Sequence, residues 1–170
     1  MKKNNSLKIG SKIVEQGEVY RVYKITRSRV DKKVQRIIHY RHFFKRTKDD
    51  SLNFSIPECS IESPDIRCPV SRGEIGEVFE ILQKWAAEGI EIDIDQAKND
   101  LCENDILKTA RVLKGCFKEK VEKGQAFTSS KKTLFDTAIN RVVEEVALVS
   151  NISLDEARKR ITSTLEDSSV

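Results

Sequence analysis

The first third of the chain alternates apolar and polar residues in the manner of β-strands. Turn-forming residues separate the apolar segments, as at Gln16-Gly17 and Lys48-Asp49-Asp50-Ser51. The predicted strands, rich in Val, Ile, Tyr and Phe, cover residues 12–16, 18–25, 34–44 and 51–57. Short antiparallel strands joined by close turns predict a small Tudor- or SH3-like β-barrel, whose edges would be open to strand addition by another chain.

Three prolines, Pro57, Pro64 and Pro69, then interrupt an extended stretch of the chain. Neither a strand pattern nor a helix pattern persists across residues 58–71, because proline removes a backbone donor and restricts the residue before it. We therefore predict a domain boundary here, with a β-domain over residues 1–70 and a second domain over residues 71–170.

The second domain has the periodicity of helices. Ser71 and Glu74 form a capping-box pattern, and an apolar stripe runs from Ile75 to Leu82. Residues 90–103 are ambiguous, since 90–95 alternates like a strand but could lead into a short helix. Further helices are predicted from near Asn104 to Gly124, from Ser129 or Ser130, and from Ser153, where Glu156 completes a second capping-box pattern. The predicted fold class is α+β, a β-barrel followed by a helical bundle.

Signatures of catalysis and of membrane insertion are missing from the sequence. It contains no G-x-S-x-G, P-loop or H-E-x-x-H motif, so we expect no enzymatic activity and no cofactor. His39 and His42 stand three apart in a predicted strand and should point to opposite faces. The four cysteines form no C-x-x-C pair and are expected to be free thiols without a metal. With no apolar run of membrane-spanning length and no secretory signal, the protein is expected to be cytoplasmic.

Charge is distributed unevenly along the chain. Residues 1–50 carry 15 Lys and Arg against 5 Asp and Glu, whereas residues 51–100 carry 4 against 11. Aromatic residues such as Tyr23 and Phe43 are interleaved with the basic ones. A basic and aromatic β-domain suits either the phosphates and bases of a nucleic acid or an acidic protein surface. Trp85, the only tryptophan, either packs in the core or could insert into a nucleic-acid groove.

Several segments occur in an order that is specific to one family. They are LKIGSKIV at 7–14, FSIP at 54–57, Arg67 followed by SRGEIGEVFEIL at 71–82, NDI at 104–106, LFDTAINRVVEEVALV at 134–149 and LDEA at 154–157. In these segments the chain resembles the CarD family of bacterial transcription regulators, over residues 7–166. The resemblance implies a Tudor-like domain that docks on the β subunit of RNA polymerase. It also implies a helical domain that touches promoter DNA and stabilises the open complex, with no reaction catalysed.

The resemblance also implies site residues. Arg27 falls where a family arginine contacts polymerase and Arg29 is close by, so the expected polymerase contacts are Arg27, Arg29, Arg36 and Ser55. Lys131 and Lys132 stand at a helix start near which the family keeps a DNA-contacting lysine. The expected DNA contacts, mostly to the backbone, are Lys131, Lys132, Lys108, Arg111, Lys114 and Trp85. The expected protein is a monomer that binds no membrane.

The chain departs from the family pattern at three places. The turn after the first strand is shortened to Glu15-Gln16-Gly17, and Ser55 replaces an arginine. The family's tryptophan and basic segment falls at residues 90–95, where this chain carries Glu91, Asp93 and Asp95. Acidic residues repel phosphates, so DNA contact should be weakened. Two alternatives remain: a polymerase-binding adaptor without promoter-DNA activity, and a stand-alone nucleic-acid-binding β-barrel module.

Overall fold

The structure is a computed structural model that describes residues 7–30, 33–44, 52–62, 65–84 and 92–168. The chain divides into two compact units, residues 1–69 and residues 70–170. None of the described helices combines the length and the apolar character needed to cross a membrane.

The N-terminal unit is a curled, antiparallel five-stranded sheet that forms half a barrel. Its strands are β1 (Lys12–Glu15), β2 (Glu18–Val30), β3 (Lys33–His42), β4 (Asn53–Pro57) and β5 (Ile66–Arg67). They are ordered β4-β3-β2-β1-β5, so β4 and β5 form the two edges. A 3-10 turn, Glu58–Glu62, connects these edge strands along the chain. The prediction of an α+β protein with an N-terminal antiparallel β-domain is confirmed.

The concave side of this sheet, called the inner face, carries the core. Buried side chains on it come from β1, β2 and β3 and pack with Leu7 and Ile66, neither of which lies in those strands. The central ones are Ile13, Tyr20, Val22, Ile38 and Tyr40. A β-bulge between Val22 and Lys24 shifts the register of β2 against β3. Because the bulge inserts one residue, Ile25 and the odd-numbered residues after it share the inner face with even-numbered residues of β3.

The turn between β1 and β2 has the tight geometry that its sequence predicts. Glu15 pairs with Glu18, which leaves Gln16 and Gly17 as the two loop residues. Both have positive φ angles, 50° and 77°. A two-residue loop with both φ angles positive matches the right-handed twist of a hairpin, and glycine adopts that conformation without steric cost.

The C-terminal unit is built from five helices. They are α1 (Arg72–Gln83), α2 (Ile94–Cys102), α3 (Ile106–Lys123), α4 (Ser129–Ser150) and α5 (Leu154–Asp167). The predicted capping box of α1 is confirmed, since Ser71 and Glu74 exchange both bonds. The ambiguous 90–103 segment is a helix from Ile94 onward, because Asp93 caps it at the N-terminus. At the start of α5, the Ser153 side chain accepts a hydrogen bond from the amide of Glu156, as the second capping-box pattern predicts. The Glu156 carboxylate accepts from Arg160 at 2.6 Å.

Two glycines inside helices should respond differently to alanine. A Cβ at Gly76 meets nothing within 4 Å, so Gly76→Ala should raise stability by about 1 kcal/mol through helix propensity. A Cβ at Gly115 would lie 2.9 Å from Cδ1 of Ile92, so Gly115→Ala should lose that gain by displacing Ile92. Thermal unfolding of both variants checks this. An equal stabilisation by the two would show that Ile92 does not pack on α3 as described.

Candidate functional site

The far end of the β2–β3 hairpin presents two arginines beside an exposed apolar residue. Arg27 lies opposite Arg36, and Arg29 lies opposite Val34. Arg27 and Arg29 are exposed, and Val34 is 67% exposed. We call Arg27, Arg29 and Val34 the distal hairpin surface. All three share the inner-face side of the ribbon but lie beyond the packed core.

Arg36 has a different role from Arg27, the residue opposite it in the sheet. Its guanidinium donates to Glu58 at 2.6 Å and to the Leu7 carbonyl oxygen at 3.0 Å. It therefore ties β3 to the N-terminal segment and to the 3-10 turn. Like charges directly opposite each other in a sheet repel, and Glu58 offsets the charge of Arg36 only. Arg27 forms no ion pair among the described residues, so its charge is available to a partner.

Ser55 lies on the opposite side of the sheet. It pairs with His39 in the ladder between β4 and β3, on the convex side that we call the outer face. Strand alternation thus separates Ser55 from Arg27, Arg29 and Arg36. The structure brings three of the four expected polymerase contacts to one side and leaves an exposed serine on the other.

Lys114 is used inside the helical domain. Its side chain is buried, and the ammonium group donates to the Leu82 carbonyl oxygen and to Ser168 Oγ. Leu82 is in the last turn of α1 and Ser168 is the C-cap of α5. A cation at the C-terminal ends of two helices can donate to carbonyl groups that have no partner within the helix, and it interacts favourably with the helix dipoles. Burial lowers the pKa of Lys114.

Lys131 is also buried, in an ion pair with Glu119. The Lys131 ammonium lies 2.6 Å from Glu119 Oε1, and the half-exposed Lys123 lies 2.7 Å from the same oxygen. The backbone amide of Ile92 donates to the other oxygen of Glu119 at 3.4 Å. Glu119 thus joins α3, the start of α4 and the segment before α2. Lys114 and Lys131 are both buried and bonded inside the helical domain, so neither presents its charge to DNA at the surface, contrary to the expectation from the sequence.

Three of the expected DNA contacts remain at the surface. Lys108 is paired with Glu103, and the hydrogen bond to that carboxylate raises the pKa of Lys108. Arg111 and Lys132 are exposed and form no ion pair among the described residues. Lys132 stands in the first turn of α4, which contains no acidic residue. The amide groups and dipole of a helix N-terminus also favour phosphate. Trp85 lies outside the described residues.

The acidic segment before α2 is described from residue 92 onward. Asp93 accepts hydrogen bonds from the amides of Gln96 and Asp95, and these bonds lower the pKa of its carboxyl group. Asp95 is exposed and lies 3.6 Å from Lys98. Both aspartates are exposed, so they present negative charge where the family pattern has a basic segment. Glu91 lies outside the described residues.

The histidines and cysteines do not assemble a reactive site in the described part of the chain. His39 Nε2 bonds to Thr26 Oγ1 at 2.8 Å on the outer face, whereas His42 packs with Tyr20 and Phe54 on the inner face. No group of three or more His, Cys, Asp or Glu among the described residues could hold a metal ion. All four cysteines are free, and burial raises the pKa of Cys116 to about 11.

One comparison with known proteins finds a likeness for most of the helical domain. No curated protein matches the chain. Residues 94–162 match the family model of the CarD C-terminal domain. The match begins at the first residue of α2 and ends within α5, so it includes Lys114, Glu119 and Lys131, whereas Leu82 and Ser168, the acceptors of Lys114, lie outside it. The described helices α2 to α5 are therefore similar to the C-terminal domain of CarD, which supports the resemblance of the chain to the CarD family.

Proposed function

We propose that this protein regulates transcription by docking on the β subunit of bacterial RNA polymerase and by altering the stability of the promoter open complex. The observation that carries the proposal is the distal hairpin surface. Arg27 and Arg29 present charge without an ion-pair partner in the described residues, beside the exposed Val34. Arginine next to an apolar residue suits an acidic protein surface, because guanidinium groups bind carboxylates bidentately while the apolar contact excludes water.

The proposed mechanism is a shift of population without a chemical step. A protein that binds the open complex more tightly than the closed complex moves the equilibrium by the difference between the two affinities. A difference of about 1.4 kcal/mol changes the ratio roughly tenfold. The proposal places the protein in the bacterial cytoplasm, as a monomer.

Promoter DNA is the second proposed partner. Lys132 and Arg111 are the proposed phosphate contacts of the helical domain, and Lys108 contributes less because Glu103 offsets its charge. Contacts of this kind go to the phosphate backbone and carry no sequence information. The exposed Asp93 and Asp95 oppose them, so the helical domain should bind DNA weakly.

Charge reversal at the hairpin tests the docking site. In a pull-down with the full chain, Arg27→Glu should reduce capture of RNA polymerase by tenfold or more, because it replaces an attraction with a repulsion. A tenfold loss of affinity corresponds to about 1.4 kcal/mol of binding free energy. The matched control is Lys24→Glu, an exposed cation of the same strand on the outer face. Lys24→Glu should retain capture. Undiminished capture by Arg27→Glu, or an equal loss in both variants, would contradict the assigned surface.

A second candidate function is a polymerase-binding adaptor without promoter-DNA activity. Two observations favour it: Asp93 and Asp95 are exposed, and Lys114 and Lys131 are buried. Both reduce the positive charge that the helical domain can offer to phosphates. An adaptor would bind polymerase through the same hairpin and leave the lifetime of the open complex unchanged. A measurement of that lifetime therefore distinguishes the adaptor from the regulator.

A further inference from the structure

The outer face of the sheet carries three cations side by side. Lys12 of β1 lies opposite Arg21 of β2, and Arg21 lies opposite Arg41 of β3. The same line continues to Asn53 on β4. We call Lys12, Arg21 and Arg41 the cationic row. Neighbouring strands are about 4.8 Å apart, so the backbone positions that carry these three cationic side chains span about 10 Å.

The charges of the cationic row are not neutralised by the sheet around it. Arg21 and Arg41 are exposed, and neither forms an ion pair among the described residues. Burial lowers the pKa of Lys12, and the positive charge of Arg21 lowers it further. The acids at the nearby turn bond elsewhere, Glu15 to Tyr40 at 2.9 Å and Glu18 to Tyr20 at 3.0 Å, both on the inner face. Adjacent like charges cost stability, so an anionic partner would relieve repulsion already present.

Aromatic rings hold two members of the row in place. The Lys12 ammonium lies 4.2 Å from the centre of the Phe43 ring, and the Arg41 guanidinium lies 5.4 Å from the centre of the Tyr23 ring. Cation–π contacts of this kind orient a cation without neutralising it. They also cover a face of each ring, which is then unavailable for stacking on an unpaired base.

We infer that the cationic row binds the phosphate backbone of duplex DNA. The phosphates of a DNA strand are consecutive anions at regular spacing, which suits a row of cations. An acidic protein would need carboxylates placed to match the cationic row. The covered rings favour backbone contact over the base stacking by which single strands bind. The row lies on the opposite side of the sheet from the distal hairpin surface, so the two sites do not share residues. The inference does not depend on polymerase binding.

Duplex binding by the full chain tests the inference. Fluorescence anisotropy with a labelled duplex of mixed sequence, without polymerase, gives the affinity at several salt concentrations. Removing two phosphate contacts with Arg21→Gln/Arg41→Gln should weaken binding on the order of tenfold at low salt, and should lower the slope of log K against log salt by about 2. Arg21→Lys/Arg41→Lys keeps both charges and should keep most of the slope. Circular dichroism and thermal unfolding establish that each variant is folded.

The matched control removes the same charge from the other side of the sheet. Arg27→Gln/Arg29→Gln should keep most of the duplex affinity and lose polymerase capture, whereas Arg21→Gln/Arg41→Gln should do the reverse. Equal weakening of duplex binding by both double variants would show that net charge alone is responsible, and would overturn the inference. It would also be overturned if single-stranded DNA or polyglutamate bound the cationic row as tightly as the duplex.

Discussion

Replacing Glu119 with alanine is expected to destabilise the helical domain by about 3–5 kcal/mol, the usual cost of breaking a buried ion pair from one side. The Glu119 side chain is 2% exposed and that of Lys131 is 7% exposed. Without the carboxylate, the Lys131 ammonium would remain buried without its closest acceptor. Lys123 can turn towards solvent, because its side chain is 41% exposed. Chemical denaturation of the full chain measures the loss.

The same contact predicts an acid-dependent stability. Burial acts to raise the pKa of Glu119, but hydrogen bonds from Lys123 and Lys131 outweigh it, so the pKa lies below its usual value. A carboxyl group whose folded-state pKa is depressed contributes its stability above the unfolded-state pKa, about 4.3 for glutamate. That contribution is lost as the pH falls through the folded-state pKa. The stability difference between the wild type and Glu119→Ala should therefore be full at neutral pH and shrink below about pH 4.

Two further variants separate the buried pair from general charge loss. Glu80→Ala removes an exposed carboxylate that lies 3.9 Å from the likewise exposed Lys84 ammonium, and it should cost less than about 1 kcal/mol. Glu119→Leu/Lys131→Met replaces both charges with apolar groups and should be less destabilising than Glu119→Ala, since no charge of the pair is left buried alone. A small effect of Glu119→Ala, or one that does not change with pH, would contradict this account of the helical domain.

Tyr40→Ala is expected to unfold or severely destabilise the β-domain, at a cost of about 3–5 kcal/mol. Tyr40 is 2% exposed and its ring stacks on Phe54 at 5.6 Å and meets Tyr20 edge to face at 5.4 Å. The deletion would leave a cavity at the centre of the inner face. Because β3 also carries Arg36 and pairs with the strand of Arg27, polymerase capture should be lost with the fold.

The hydroxyl group of Tyr40 should matter less than its ring. It donates to Glu15, and burial together with this bond raises the pKa of Tyr40. Tyr40→Phe removes one hydrogen bond and should cost about 1 kcal/mol. Tyr23→Ala, on the outer face, leaves no core cavity and serves as the control. If thermal unfolding showed equal losses for Tyr40→Ala and Tyr23→Ala, the inner face would not be the core of this domain.

Local patterns were sufficient to predict most of the secondary structure. The alternation of apolar residues identified β1 to β4, and the Ser71 capping box identified the start of α1. Strand β5 was missed because it is two residues long and is defined by its pairing with Val14 and Glu15, about fifty residues earlier. The curled half-barrel was approximated as a barrel, since the sequence does not reveal whether the two edge strands meet.

Site residues were harder to predict because their roles depend on partners distant in the chain. Lys114 and Lys131 resemble surface lysines in sequence, and only the packed helices reveal Leu82 and Glu119 as their acceptors. The position of Ser55 opposite His39 depends on strand register. The cationic row likewise becomes visible only when β1, β2 and β3 are aligned, with the bulge after Val22 included.

The lifetime of a promoter open complex tests the central claim most directly. Purified polymerase, one promoter and a competitor give that lifetime with no addition, with the wild-type chain and with Arg27→Glu. A regulator that docks through the hairpin should change the lifetime in the wild type, and Arg27→Glu should return it to the value of polymerase alone. An unchanged lifetime with the wild type bound to polymerase, or the same change with both proteins, would contradict the account.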